Sequence, residues 1–145
     1  MIRRNLLDVN VLIALTSIEH PQYAATQQWF DSLVNEDWGI CPLTETGYVR
    51  IVTNPASGPI VRTFAQAAAV LADLAQREGY RYWSITDTWC SLTASFRGRI
   101  FGPQQVTDAY LLGMAIKEGG VLVTFDRGLK YLAGTEFASN LLILQ

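Results

Sequence analysis

The chain is poor in soft metal ligands, in lysine and in charge. Its 145 residues include two cysteines, Cys41 and Cys90, and one histidine, His20. A zinc site needs about four nitrogen, sulfur or carboxylate ligands in tetrahedral array, and these residues cannot readily build one from nitrogen and sulfur. A resident metal would have to be held by oxygen. Both cysteines lie in apolar settings and are expected as buried, reduced thiols. No apolar run approaches the ~18 residues that read as a membrane span. Arg3 and Arg4 precede an apolar stretch, as in a short signal sequence, but Asp8 and Asn10 interrupt it and no small-residue cleavage site follows. A cytoplasmic protein with no membrane partner is expected. Only 17% of residues are charged and 50% are hydrophobic, which argues against disorder. The length fits a single domain over residues 1–145, enough to bury about 70% of the unfolded surface.

Lys117 and Lys130 are the only lysines, so nine of the eleven basic residues are arginine, the better fork for phosphate. A net charge of −2 is unlike the broad basic surface of most nucleic-acid binders. Any such role must rest on where individual charges sit.

What is present is a regular alternation of strand-like and helix-like stretches. Residues 5–7 predict a strand ending at Asp8, and residues 9–15 a helix capped near Asp8. Pro21 predicts the first position of a second helix running to about Asn35. Residues 38–41 read as the second strand, ended by Pro42, with Thr44 capping a helix to about Val52. Residues 54–59 form a loop of turn residues. Thr63 caps a helix over 64–77 that Gly79 stops. Residues 80–85 alternate like a strand exposed on one face, and Asp87 is expected to cap a short helix over Trp89, Leu92 and Thr93. A loop over 96–104 leads to a helix over 106–117, ended by Gly119 and Gly120. Residues 121–124 are continuously apolar, as buried parallel strands are. Asp126 then opens a short helix, and residues 141–144 close the chain as a strand. This order predicts the α/β class, as a three-layer α/β/α sandwich around a mostly parallel sheet.

In open parallel sheets, ligands bind beyond the carboxyl ends of the strands. Asp8 and Asp126 follow strands directly or within two residues. Glu45 and Asp108 sit in first helical turns. Each alone has an ordinary explanation as a cap or a charge favoured by the helix dipole. Asp87 shares the pattern, so position alone does not separate it from the site. Four carboxylates converging at about 5 Å would repel by roughly 3 kcal/mol per pair at an effective dielectric near 20. Protonation or a cation must relieve this. An all-oxygen site suits magnesium, with manganese as a substitute, and phosphodiester hydrolysis is its natural chemistry.

The segments around these acids carry a resemblance. Leu6-Leu7-Asp8-Val9-Asn10-Val11-Leu12 resembles the opening of PIN-domain proteins, VapC-type toxins in particular. Cys41-Pro42-Leu43-Thr44-Glu45, Val106-Thr107-Asp108-Ala109-Tyr110 and Val123-Thr124-Phe125-Asp126-Arg127 resemble the second, third and fourth acidic segments. The four come in family order and span nearly the whole chain. The resemblance implies a PIN fold, a magnesium-dependent endoribonuclease acting on RNA, a homodimer, and a cognate antitoxin that silences the enzyme. Asp8, Glu45 and Asp108 match the core acids, and Asp126 a fourth acid whose direct metal contact varies. Asn10 and Thr124 match polar residues that orient ligands or waters. Asp87 has no catalytic counterpart and stays a cap.

Arg97 and Arg99 lie beside glycines ahead of Asp108, and Arg127 follows Asp126. These three are the arginines expected to hold RNA phosphates; a packed or solvated loop is the plainer alternative. Trp29, Trp38, Trp83 and Trp89 are expected in the core. Three other readings stay open. The chain could be an RNA-processing nuclease without an antitoxin, or a binding module without catalysis. It could also be a phosphatase of the haloacid dehalogenase kind, although Asn10 stands where that motif has a second aspartate and no suitable lysine follows.

Overall fold

The computed structural model describes residues 2–58 and 61–145. Four short strands, β1 (Arg4–Leu7), β2 (Asp37–Gly39), β3 (Val121–Thr124) and β4 (Leu141–Ile143), form a sheet in the order β2-β1-β3-β4. Every pairing in it is parallel, with Leu6 level with Gly39 on one side and Leu122 on the other. Among the described residues seven helices surround it: α1 (Val9–Thr16), α2 (Tyr23–Asp31), α3 (Pro42–Val52), α4 (Phe64–Leu74), α5 (Trp89–Thr93), α6 (Val106–Lys117) and α7 (Leu129–Ala133).

Strand side chains alternate between the faces, so the sheet feeds two cores. Leu6 and Leu122 pack with Leu92, Leu111, Leu112 and Leu129 from α5, α6 and α7. Leu7, Val121 and Val123 pack with Val11, Leu12, Tyr48 and Ala67 from α1, α3 and α4. All four β3 residues are buried, as a strand covered on both faces requires. Truncating one such leucine to alanine costs about 2–5 kcal/mol. Trp38 and Trp83 are fully buried; Trp29 and Trp89 are half-buried at the margins.

Several boundaries differ from the sequence reading. The second helix starts at Tyr23, not Pro21, because His20 organises a turn: its Nδ1 accepts from the Gln22 N–H at 3.0 Å and its carbonyl from Tyr23 N–H at 3.0 Å. That helix ends at Asp31, and Asn35 takes a left-handed φ of 57° in the turn into β2. Helix α3 begins at Pro42 with Cys41 as its N-cap; Thr44 caps from inside, its hydroxyl accepting from Cys41 N–H at 2.8 Å. Pro59 of the expected loop lies outside the described residues, and Asn54 turns the preceding part by accepting from Ala56 N–H at 3.0 Å. Thr63 caps α4 as expected, reciprocally with Gln66. The helix stops at Leu74 rather than Arg77, where the chain tightens into Asp73–Gln76 and Leu74–Arg77 turn bonds.

Residues 80–85 form only an isolated bridge rather than a strand, yet they run beside β2. Arg81 N–H donates to the Trp38 carbonyl at 2.8 Å and Trp83 N–H to that of Ile40 at 2.9 Å. Thr88, not Asp87, caps α5, accepting from Ser91 N–H at 3.1 Å. Asp126 folds a turn ahead of α7, which starts at Leu129. Cys41 is buried as expected, but Cys90 is exposed on α5. Among the described residues no helix is long and apolar enough to cross a membrane.

Candidate active site

The carboxyl ends of β1 and β3 lie side by side because the two strands pair directly. Asp8 carries the ladder one residue past β1, its N–H donating to the Val123 carbonyl at 3.0 Å. The side chain is 7% exposed. One carboxylate oxygen accepts from Val9 N–H at 2.7 Å, closing the first turn of α1. The other accepts from the Thr124 hydroxyl at 2.7 Å. That hydroxyl in turn accepts from Asp126 N–H at 3.1 Å. Thr124, fully buried, thus ties Asp8 to the turn that presents Asp126, whose Oδ1 accepts from Gly128 N–H at 2.9 Å.

Asp108 enters from the first turn of α6 and is half-buried. Burial first, then the charges of Asp8 and Asp126, push its carboxyl up to about 7. Burial also raises Asp8, and Asp126 adds to it, while the bonds from Thr124 and Val9 pull the other way. The three aspartates therefore share one electrostatic neighbourhood.

Glu45, in the first turn of α3, is not among the charges that act on Asp8 or Asp108. Its Oε1 accepts from the Tyr82 hydroxyl at 2.8 Å. Partial burial first, then the bond to Glu45 and its charge, push the Tyr82 phenol up to about 12. Among the described residues, no group of three or more Asp, Glu, His or Cys side chains is drawn together closely enough to hold a metal ion. Asp8, Asp108 and Asp126 form a trio coupled through their charges, and Glu45 is bonded to Tyr82 instead.

A family profile described as PIN domain matches residues 6–134. The chain belongs to the PIN-domain family. Ribonuclease VapC44 of Mycobacterium tuberculosis is 35% identical over 130 residues, covering 90% of this chain and 91% of that protein. Ribonuclease VapC38 of the same organism is 42% identical over 128 residues, 88% of this chain and 89% of that one. The PIN domain here is therefore one of the VapC ribonuclease group. A solved toxin-antitoxin complex from Klebsiella pneumoniae contains a chain of the same fold, with a TM-score of 0.63, 16% identity and 95% coverage of each chain.

The donor set of this PIN domain fits a hard divalent cation. It offers oxygen only, which suits magnesium or manganese. No arginine or lysine among the described residues pairs with Asp8, Glu45, Asp108 or Asp126. Burial, then the charges of Asp8 and Asp126 with no cation to offset them, holds the Asp108 carboxyl high.

The remaining candidates lie around the trio or away from it. Asn10 is exposed on the first turn of α1. Arg127 is exposed beside Asp126 and reaches Gln145 at 3.5 Å. Arg97 donates to the Cys90 carbonyl at 2.7 Å and lies 5.9 Å from the Trp89 ring centroid. Arg99 donates to the Leu132 and Ala133 carbonyls at 2.8 and 3.2 Å and pairs with Glu136. Asp87 is removed from the crevice by its ion pair with Lys117. Tyr82 was missed by sequence reasoning. The alternation over 80–85 could place it on an exposed face, but not beside Glu45, 37 positions away.

Proposed function

We propose that this PIN domain is a divalent-metal-dependent endoribonuclease, with Asp8, Glu45, Asp108 and Asp126 as its acids and magnesium or manganese as its cation. The observation that carries the reading is Asp108, half-buried against two other carboxylates with no protein cation to offset them. When bound, such a cation polarises the phosphodiester and assists the attack of water. The chain's own residues do the rest. Thr124 and Val9 hold the Asp8 carboxylate in one orientation. Asp108, once deprotonated, would offer its carboxylate to such a cation. Asp126, on the exposed rim, can adjust to substrate. Arg127 is the arginine best placed to meet a phosphate. Arg97 stays exposed on its flank, and Arg99 serves chiefly to hold α7.

We further propose a toxin of the cytoplasm, working as a homodimer and silenced by a cognate antitoxin; the VapC relatives and the fold shared with a toxin-antitoxin complex support the toxin and antitoxin parts of that reading. The aspartyl-phosphatase reading loses support because Lys117 is engaged by Asp87.

The test is cleavage of purified RNA. Magnesium or manganese should support it and excess EDTA should stop it. Full activity in EDTA would overturn the mechanism. For the cellular role, expression should slow growth of the host, and the product of an adjacent small gene should relieve it. Equal growth with wild type and Asp8→Ala, at matched protein levels, would overturn the toxin reading.

A further inference from the structure

Among the described residues Glu45 is not drawn into one close group with the aspartates, and Tyr82 is what it is bonded to. Tyr82 is itself firmly placed. Arg81 and Trp83 on either side donate their N–H groups to the Trp38 and Ile40 carbonyls at 2.8 and 2.9 Å. The segment lies so close to β2 that a Cβ at Gly39 would collide with the Arg81 carbonyl oxygen. Trp83 is 2% exposed, whereas the Tyr82 ring is 43% exposed. The tyrosine therefore contributes little to the core, and its hydroxyl is directed to Glu45.

We infer that Tyr82 is a positioning residue that holds Glu45 away from Asp8, Asp108 and Asp126 until a divalent cation draws it in. The inference rests on the metal-dependent reading above. Adding a fourth carboxylate to three that already repel one another is unfavourable without a cation. A neutral phenol offers Glu45 a charge-assisted hydrogen bond instead. Arrival of a divalent charge reverses the balance, and Glu45 exchanges the phenol for the cation. The bond to Tyr82 is lost in that exchange, so it opposes cation binding.

Calorimetric titration with Mn2+ of wild type, Tyr82→Phe, Glu45→Gln and the double variant tests this. Tyr82→Phe should bind Mn2+ roughly three- to ten-fold more tightly, the equivalent of one hydrogen bond no longer broken. On the Glu45→Gln background the same change should have no effect. The cation-free melting temperature of Tyr82→Phe should fall by about 2–5 °C, the same hydrogen bond lost from the folded state. Weaker binding by Tyr82→Phe would mean that the tyrosine presents Glu45 to the cation, and would overturn the inference. Unchanged binding would overturn it as well, leaving the metal-dependent reading intact. A wild type that binds neither Mn2+ nor Mg2+ would sink that reading, and the inference with it.

Discussion

The two ends of the sheet treat acidic residues in opposite ways. At the amino ends of the strands, Glu36 faces Arg3, Glu118 faces Arg4 and Asp37 faces Arg81. At the carboxyl ends, Asp8, Asp108 and Asp126 face one another with no arginine or lysine paired to them among the described residues. Acids with partners are ordinary surface. Acids gathered and part-buried without partners, as Asp8 and Asp108 are, have their pKa raised and leave a charge for a ligand to supply. The contrast locates the site better than a count of carboxylates does, and it separates Asp87, held by Lys117, from Asp108.

The sharpest way to break this comparison is to neutralise one acid at each end. Asp8→Asn or Asp108→Asn should cut the initial rate of RNA cleavage by at least ~100-fold, as loss of a metal ligand does. Glu118→Gln should leave the rate near wild type. Equal losses at both ends would remove the distinction.

Stability against pH gives the next largest effect. Asp108 has a folded pKa raised to about 7, so the folded chain keeps a proton that the unfolded chain releases near pH 4. Its favourable contribution is fully present below the unfolded value and is lost as pH rises through about 7. Metal-free Asp108→Asn should therefore be more stable than wild type at pH 8, on the order of 2 kcal/mol once solvent screening at a half-buried site is allowed for. The gain should vanish at pH 4. Urea unfolding at the two pH values checks this, and Mg2+ should bind wild type more tightly as pH rises through 7.

A smaller effect is expected at Arg99. Arg99→Ala leaves the Leu132 and Ala133 carbonyls at the end of α7 without their donor, and should cost about 1 kcal/mol in urea unfolding. Cation binding should be unaffected, because Arg99 belongs to the paired part of the molecule. The smallest effect belongs to the exposed Asp73–Arg77 pair within one stretch of chain. Arg77→Ala should change stability by less than ~0.5 kcal/mol.

Much of this protein was legible in order alone. The alternation of segments, the helix caps at Asp8 and Thr63, the buried strand at 121–124 and the position of each acid after a strand or in a first turn all follow from the sequence. Those features depend on residues within a few positions of one another, where backbone geometry and periodicity act. Other features required the tertiary structure. Whether an acid has a partner depends on segments far apart: Lys117 reaches Asp87 across 30 positions, and Tyr82 reaches Glu45 across 37. The exposure of Cys90 and the anchoring of Arg99 to α7 depend likewise on how helices pack. The sequence by itself determined which carboxylates stand at the ends of the parallel strands. Only the tertiary structure decided which of them lack a countercharge, because Coulombic interactions act through space and the sheet order sets the distances.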